Sequence, residues 1–345
     1  MVKYVLAPLN DCYFRSEFIG FDPLPERNHP DRPLILASNH AGMAFPWDGI
    51  IFISQLFRRN NYDFSKAVRA LTSPMLSQTT LMNPFLVSNF WKKVGSVDAT
   101  TLNVETMMQQ TEMNLLIYPE GVPGIGKGFD KRYQLQRFAT SFIRVSLKYR
   151  TDIIPFATVN NEFINPYAYQ SATVNKIANL LGIPFLPLGL MTALIPFQPW
   201  LFYFAFPAKL TYVMGRRIKP YEMIDKPLNR ITEQDINQLT MLVRRQMQAE
   251  LQEAVRRYGR QPYALKEFFT TCRQQVRRFP YFLPCFWPSL FAEVERRSRQ
   301  RDDLPWDMSL WAGLKAFLRR PLSLAFFVPV LGWIPILWRG YTNKS

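Results

Sequence analysis

The chain has 345 residues, 48% of them hydrophobic and 15% aromatic, with a formal net charge of +16. That length allows one large α/β domain with a helical appendage, or two domains, and the charge points to an anionic partner surface, either nucleic acid or lipid headgroups. Three cysteines, Cys12, Cys272 and Cys285, match no disulfide framework or zinc site, so they are expected as free thiols. The N-terminal residues lack the apolar core and small-residue cleavage site of a secretory signal, so the chain is expected on the cytoplasmic face.

In chain order, residues 14–21 alternate as a half-buried strand does, and Pro33–Ser38 is a short apolar run ending at Asn39-His40. Pro46 suits the first position of a helix, and the apolar stretch from Trp47 to Ile53 continues it. Further strands are expected at Lys66–Leu71, Asn114–Tyr118 and Asp152–Val159, separated by helical stretches, with one more at Lys209–Met214. One crossover carries Leu135, Phe138, Phe142, Val145 and Tyr149 at steps of three and four, which predicts a helix on the sheet. Glu233–Tyr258 reads as a charged amphipathic helix. The alternation implies an α/β fold, a mostly parallel sheet flanked by helices. A domain over residues 1–232 is then followed by a basic, aromatic-rich helical region, 233–345.

Two stretches suit a lipid interface. Residues 177–208 carry no charge but contain prolines that rule out one continuous spanning helix. Residues 321–338 form a second uncharged run, flanked by Arg319-Arg320 and Arg339, barely long enough to cross a bilayer and interrupted by Pro329, Gly332 and Pro335. With basic residues outnumbering acidic ones more than twofold after residue 239, the C-terminal region is read as membrane-associating.

The chemistry rests on few residues. His29, in Arg27-Asn28-His29-Pro30-Asp31, reads as a polar loop residue. His40 follows the end of a strand, where α/β ligand crevices form, and Asp48 falls in the first turn of the next helix, where the dipole favours a carboxylate. Such a pair can act as base and partner. Gly121 to Lys127 nearly spells a phosphate-binding P-loop, but Gly128 stands where Ser or Thr would hold magnesium, which argues against nucleotide hydrolysis. No nucleic-acid module is recognisable, so no nucleic-acid partner is expected; a non-catalytic basic membrane binder stays open.

Three motif blocks and two longer stretches together resemble the glycerolipid acyltransferase family, which includes the lysophosphatidic acid acyltransferases. They are Asn39-His40-Ala41-Gly42 through Pro46-Trp47-Asp48-Gly49, then Tyr118-Pro119-Glu120-Gly121, Ile153–Ala157, and the Lys127–Tyr149 and Gly182–Pro207 stretches. The resemblance covers roughly residues 14–222. It implies that His40 deprotonates a lipid hydroxyl for attack on an acyl thioester, with Asp48 as its partner and Glu120 and Gly121 at the acceptor. It further implies acyl-CoA or acyl carrier protein as donor and no cofactor or metal. Seven residues separate His40 from Asp48 where the family has four, so the intervening loop is expected to bulge. The family's Thr-Arg after Glu-Gly is replaced by Val122-Pro123, which removes a phosphate-binding guanidinium; Lys127, Lys131, Arg132 and Arg137 are the substitutes in reach. A lysophospholipid acceptor such as lysophosphatidic acid is the first expectation. The Pro two residues before Asp48 resembles members that acylate neutral alcohols, which keeps diacylglycerol or a long-chain alcohol as the alternative.

Overall fold

The computed structural model describes residues 1–42, 45–78, 82–87, 89–180, 186, 188–300, 309–319, 328–334 and 337. Among the described residues seven strands form one sheet: β1 (Glu17–Ile19), β2 (Ile35–Ser38), β3 (Val68–Thr72), β4 (Val97–Asp98), β5 (Asn114–Ile117), β6 (Ile153–Val159) and β7 (Thr211–Met214). Their order across the sheet is β1-β7-β6-β2-β5-β3-β4. All neighbours are parallel except β6 and β7, so β1 and β7 run against the other five. The central strands β2 and β6 are buried at every residue, as parallel strands covered on both faces must be.

Helices cover both faces. One face packs against α1 (Trp47–Arg59) and a helical N-terminal segment, Val2–Leu6, Ala7–Leu9 and Asn10–Phe14, which the sequence reading did not anticipate. The other face packs against α2 (Ser141–Tyr149) and α3 (Glu233–Tyr258). α3 begins where expected because Thr232 and Asp235 form a capping box, each side chain accepting from the other's backbone N–H.

The expected helix from Leu135 is shorter than its periodicity suggested. Leu135 and Phe138 are buried, but they lie in an extended stretch, and the helix starts only at Ser141. The reason is competition for the groups an i to i+4 ladder would use: Ala139 N–H, which a helix would give to the Leu135 carbonyl, donates to Pro119 O (2.8 Å), while Arg244 donates to the carbonyls of Leu135 and Gln136.

Residues beyond 232 do not stand apart from the sheet. Ile236, Leu239, Val243 and Leu251 of α3 are core residues. In α5 (Trp287–Gln300), which follows α4 (Leu265–Gln274), Trp287 is wholly buried, its ring 5.2 Å from that of Trp47. A last helix, α6 (Leu310–Leu318), packs Gly313 against Pro280. No described helix is long and apolar enough to cross a membrane; most of residues 321–338 lies outside the described residues. The three cysteines are free thiols.

Candidate active site

The site forms where β2 ends. Asn39 is fully buried and prolongs the sheet with its side chain: its amide donates to Thr158 O (3.0 Å) and accepts from Thr158 N–H (2.8 Å). This ladder fixes the chain as it leaves the strand and presents His40 next. The backbone N–H of His40 donates to Glu120 Oε1 (3.1 Å), while Glu120 Oε2 holds Gln136 N–H. Glu120 therefore joins the His40 loop to the segment leading into α2. Its carboxylate is consumed in positioning backbone rather than facing open solvent.

Behind His40 stands Asp48, with no exposed surface, at the second residue of α1. Asp48 Oδ2 accepts from Ala41 N–H (3.2 Å) and Oδ1 from Gly49 N–H (2.9 Å), so the carboxylate ties the loop to the helix start. Tyr212 donates to the Asp48 carbonyl at 2.7 Å and locks the helix end against β7. His40 Nδ1 lies 4.0 Å from Asp48 Oδ2, longer than the hydrogen bond a tight dyad makes. The structure thus brings the two side chains together across the long spacing without closing the contact. Residues 43 and 44, within the expected bulge, lie outside the described residues.

The imidazole stacks face to face on Tyr118, ring centres 3.9 Å apart and planes 12° from parallel. Tyr118 reaches on to Gly49, where an added Cβ would come within 2.9 Å of the phenol oxygen, so only glycine fits. Gly42 is the other constrained position. Its φ is +67°, and a Cβ there would lie 2.8 Å from the Lys127 carbonyl.

Burial lowers the pKa of His40 to about 3, with Lys127 adding to the effect, so the imidazole is neutral and able to accept a proton. Burial raises Asp48 to about 6, against the backbone hydrogen bonds from Gly49 and Ala41 that favour its charge. Glu162, also fully buried, is raised by burial and eased back by Lys127.

Lys127 does not reach outward. Its side chain is fully buried, with Nζ 3.3 Å from Glu162 Oε1 and 3.9 Å from Glu120 Oε2. In such a setting a lysine neutralises its carboxylates and is not free to cradle a phosphate. Lys131, Arg132 and Arg137 are exposed, and Arg132 lies over the Phe129 ring at 5.0 Å. None of the four lines the cavity described below. Arg137 lies between Gln136, held by Glu120, and Ala139, which lines the cavity and whose N–H donates to Pro119 O (2.8 Å). The glycine-rich stretch after Glu120 is a short helix, Gly121–Ile125, not a phosphate loop.

His40, Tyr118 and Gly121 open onto a cavity of about 370 Å³ with mainly apolar walls. Ile50 and Ala70 contribute from one face of the sheet, Leu115 and Phe142 from the other. The sheet permits this because β3 pairs with β5 only as far as Ala70, its last residues Leu71 and Thr72 pairing with β4 instead. Leu71, Thr72 and Ile117, at the resulting split, all line the cavity. Among the described residues no group of three or more His, Cys, Asp or Glu side chains is placed to hold a metal ion. His29 is a half-buried loop residue, its Nδ1 accepting from Asp31 N–H at 3.4 Å.

Sequence reasoning did not single out Asn39, Tyr118, Gln136, Asn161 or Glu162 for the site. Asn39 and Tyr118 stood inside the quoted blocks, so their place beside His40 and Glu120 was a usable signal. Asn161 and Glu162 follow β6 and reach the site only through the sheet order.

Residues 17–159 match a family model described as Acyltransferase. An uncharacterized protein of Mycobacterium bovis is 26% identical over 219 residues, 63% of this chain and 56% of that protein. An uncharacterized protein of Mycobacterium leprae is 28% identical over 185 residues, 53% of this chain and 45% of its own length. The chain thus spans about half the length of the curated relatives it matches. Among solved structures it is similar to the 1-acyl-sn-glycerophosphate (LPA) acyltransferase of Thermotoga maritima, at 12% identity and a TM-score of 0.38, over 73% of this chain and 81% of that one.

Proposed function

We propose, from the match of residues 17–159 to the Acyltransferase family model, that this chain is an O-acyltransferase that moves a fatty acyl group from a thioester, acyl-CoA or acyl carrier protein, to a hydroxyl of a glycerolipid. The observation that carries the reading is a neutral histidine, backed by a buried aspartate, at the wall of an apolar cavity. Nδ1 of His40 faces Asp48, which leaves Nε2 to take the proton of the acceptor hydroxyl. The alkoxide oxygen attacks the thioester carbonyl, the carbon–sulfur bond breaks, and the leaving thiolate recovers the proton from the imidazolium. Asp48 stabilises that imidazolium while it lasts. The apolar walls suit a fatty acyl chain, whose burial is favourable by roughly 0.8 kcal/mol per methylene.

A lysophospholipid such as lysophosphatidic acid is the acceptor this reading adopts, with Lys131, Arg132 and Arg137 left as exposed cations and Arg137 two residues from the cavity-lining Ala139. The buried, paired Lys127 favours a second reading, a neutral acceptor such as diacylglycerol or a long-chain alcohol, since it withdraws one of the four cations first expected to bind phosphate. Thioester consumption by the full chain, measured against lysophosphatidic acid, other lysophospholipids, diacylglycerol and long-chain alcohols, decides between them. A folded chain that releases no thiol with any of these acceptors would leave a non-catalytic lipid binder as the function.

A further inference from the structure

The two uncharged runs of the sequence meet in the fold. Val330 donates its backbone N–H to Phe197 O at 2.7 Å, and the indole N–H of Trp333 donates to Pro196 O at 2.7 Å. Around this junction Leu194, Phe197, Val328, Val330, Leu331 and Ile334 are all exposed, between 42% and 58%. Single exposed apolar residues are ordinary, but a contiguous set drawn from two distant segments marks an interaction surface.

Charge says which partner. Residues 163–221 contain no aspartate or glutamate, and neither do residues 308–345. The charges these segments carry, among them Lys176 and Arg319, are basic. Arg132 and Lys131 stand beside the first segment, because Phe129 N–H donates to Ala168 O (2.8 Å) and the Phe129 ring lies 5.1 Å from Tyr167. An apolar patch formed by segments whose only charges are basic matches a bilayer with anionic headgroups: apolar side chains enter the acyl boundary while cations stay at the phosphates. Indoles such as Trp200 and Trp333, both half-buried here, favour that depth.

Position adds a second argument. The turn Pro199–Tyr203 follows the patch directly, Phe202 lines the cavity, and Tyr203 is anchored by its carbonyl, which accepts from the Trp47 indole at 2.9 Å. We propose that the exposed apolar surface formed where residues 194–200 meet residues 328–334 docks onto an anionic lipid bilayer, beside the cavity. The proposal stands apart from the chemistry at His40, because docking is read without turnover.

The test is binding of the full chain to vesicles of mixed phosphatidylglycerol and phosphatidylcholine, compared with vesicles of phosphatidylcholine alone at the same salt. Phe197→Glu and Ile334→Glu are each expected to weaken binding to the anionic vesicles by about tenfold or more, since each puts a carboxylate into the boundary. Phe64→Glu serves as control. Phe64 is 71% exposed but precedes β3, at the sheet edge opposite His40, and its substitution is expected to leave binding unchanged. Equal thermal midpoints would show that all three variants fold. Three results would overturn the docking surface: unchanged binding in Phe197→Glu and Ile334→Glu, an equal loss in Phe64→Glu, or equal affinity for neutral vesicles. So would a dimer of the parent chain that both patch variants dissociate, because the patch would then cover itself.

Discussion

Replacing Asp48 by asparagine separates what it costs to bury a charge from what the charge is for. The carboxyl has no exposed surface and is raised from an ordinary 3.8 to about 6. The folded chain therefore holds this proton more tightly than the unfolded chain does. Stability from that proton is fully present at pH values below the unfolded pKa and is lost as the pH rises through about 6. The rise corresponds to about 3 kcal/mol against the ionised form. An asparagine in this place carries no charge, so that cost disappears. Its amide nitrogen, however, replaces one of the two oxygens that accept from Ala41 and Gly49, and an unsatisfied donor returns about 1 kcal/mol. Asp48→Asn is expected to be more stable than the parent by about 2 kcal/mol near pH 8, and equal or slightly less stable near pH 4. Urea unfolding at both pH values measures the difference as a shift in midpoint. Acyl transfer should nonetheless fall, because a neutral amide no longer supports the imidazolium. A variant less stable than the parent near pH 8, or a gap that does not change with pH, would refute a carboxylate held there at a cost in stability.

His40→Ala is expected to lose about 10²–10⁴-fold in acyl-transfer rate with an unchanged circular dichroism spectrum, more than Asp48→Asn loses. The parent enzyme should show an acid limb near the Asp48 value of about 6, rate rising with pH as the carboxylate ionises, and Asp48→Asn should flatten it; a limb that persists in the variant assigns it to another group. Arg137→Ala should raise KM for lysophosphatidic acid by about tenfold and leave diacylglycerol acylation unchanged, whereas Lys131→Ala should affect neither; equal changes on both acceptors would make Arg137 a surface residue. Gly42→Ala should destabilise the fold by about 1–3 kcal/mol, read by urea midpoint, because the new Cβ meets a backbone carbonyl at 2.8 Å in a positive-φ conformation.

Some of this molecule was legible from local signals alone. The burial of β2, β5 and β6 follows from their short apolar runs, and α3 has the ends its capping box and charged periodicity announce. The order of His40, Asp48 and Glu120 placed them at strand and helix ends, which in an open α/β sheet converge on one edge. What local signals cannot carry is the outcome of competition between distant partners. Leu135 and Phe138 keep helical spacing, yet Pro119 takes the Ala139 N–H and Arg244 takes the Leu135 and Gln136 carbonyls that a helix would pair. Lys127 reads as a solvent-facing cation until the sheet order brings Glu162 to it from the end of β6. The cavity lies where the pairing of β3 with β5 stops after Ala70, an extent of pairing that neither strand's own residues specify. Likewise the runs 177–208 and 321–338 are each merely uncharged in sequence, and only folding sets Phe197 against Val330 to make one surface. Short-range periodicity and capping depend on residues a turn or two apart, whereas burial, charge pairing and cavities depend on which segments meet, and that is decided by the tertiary structure.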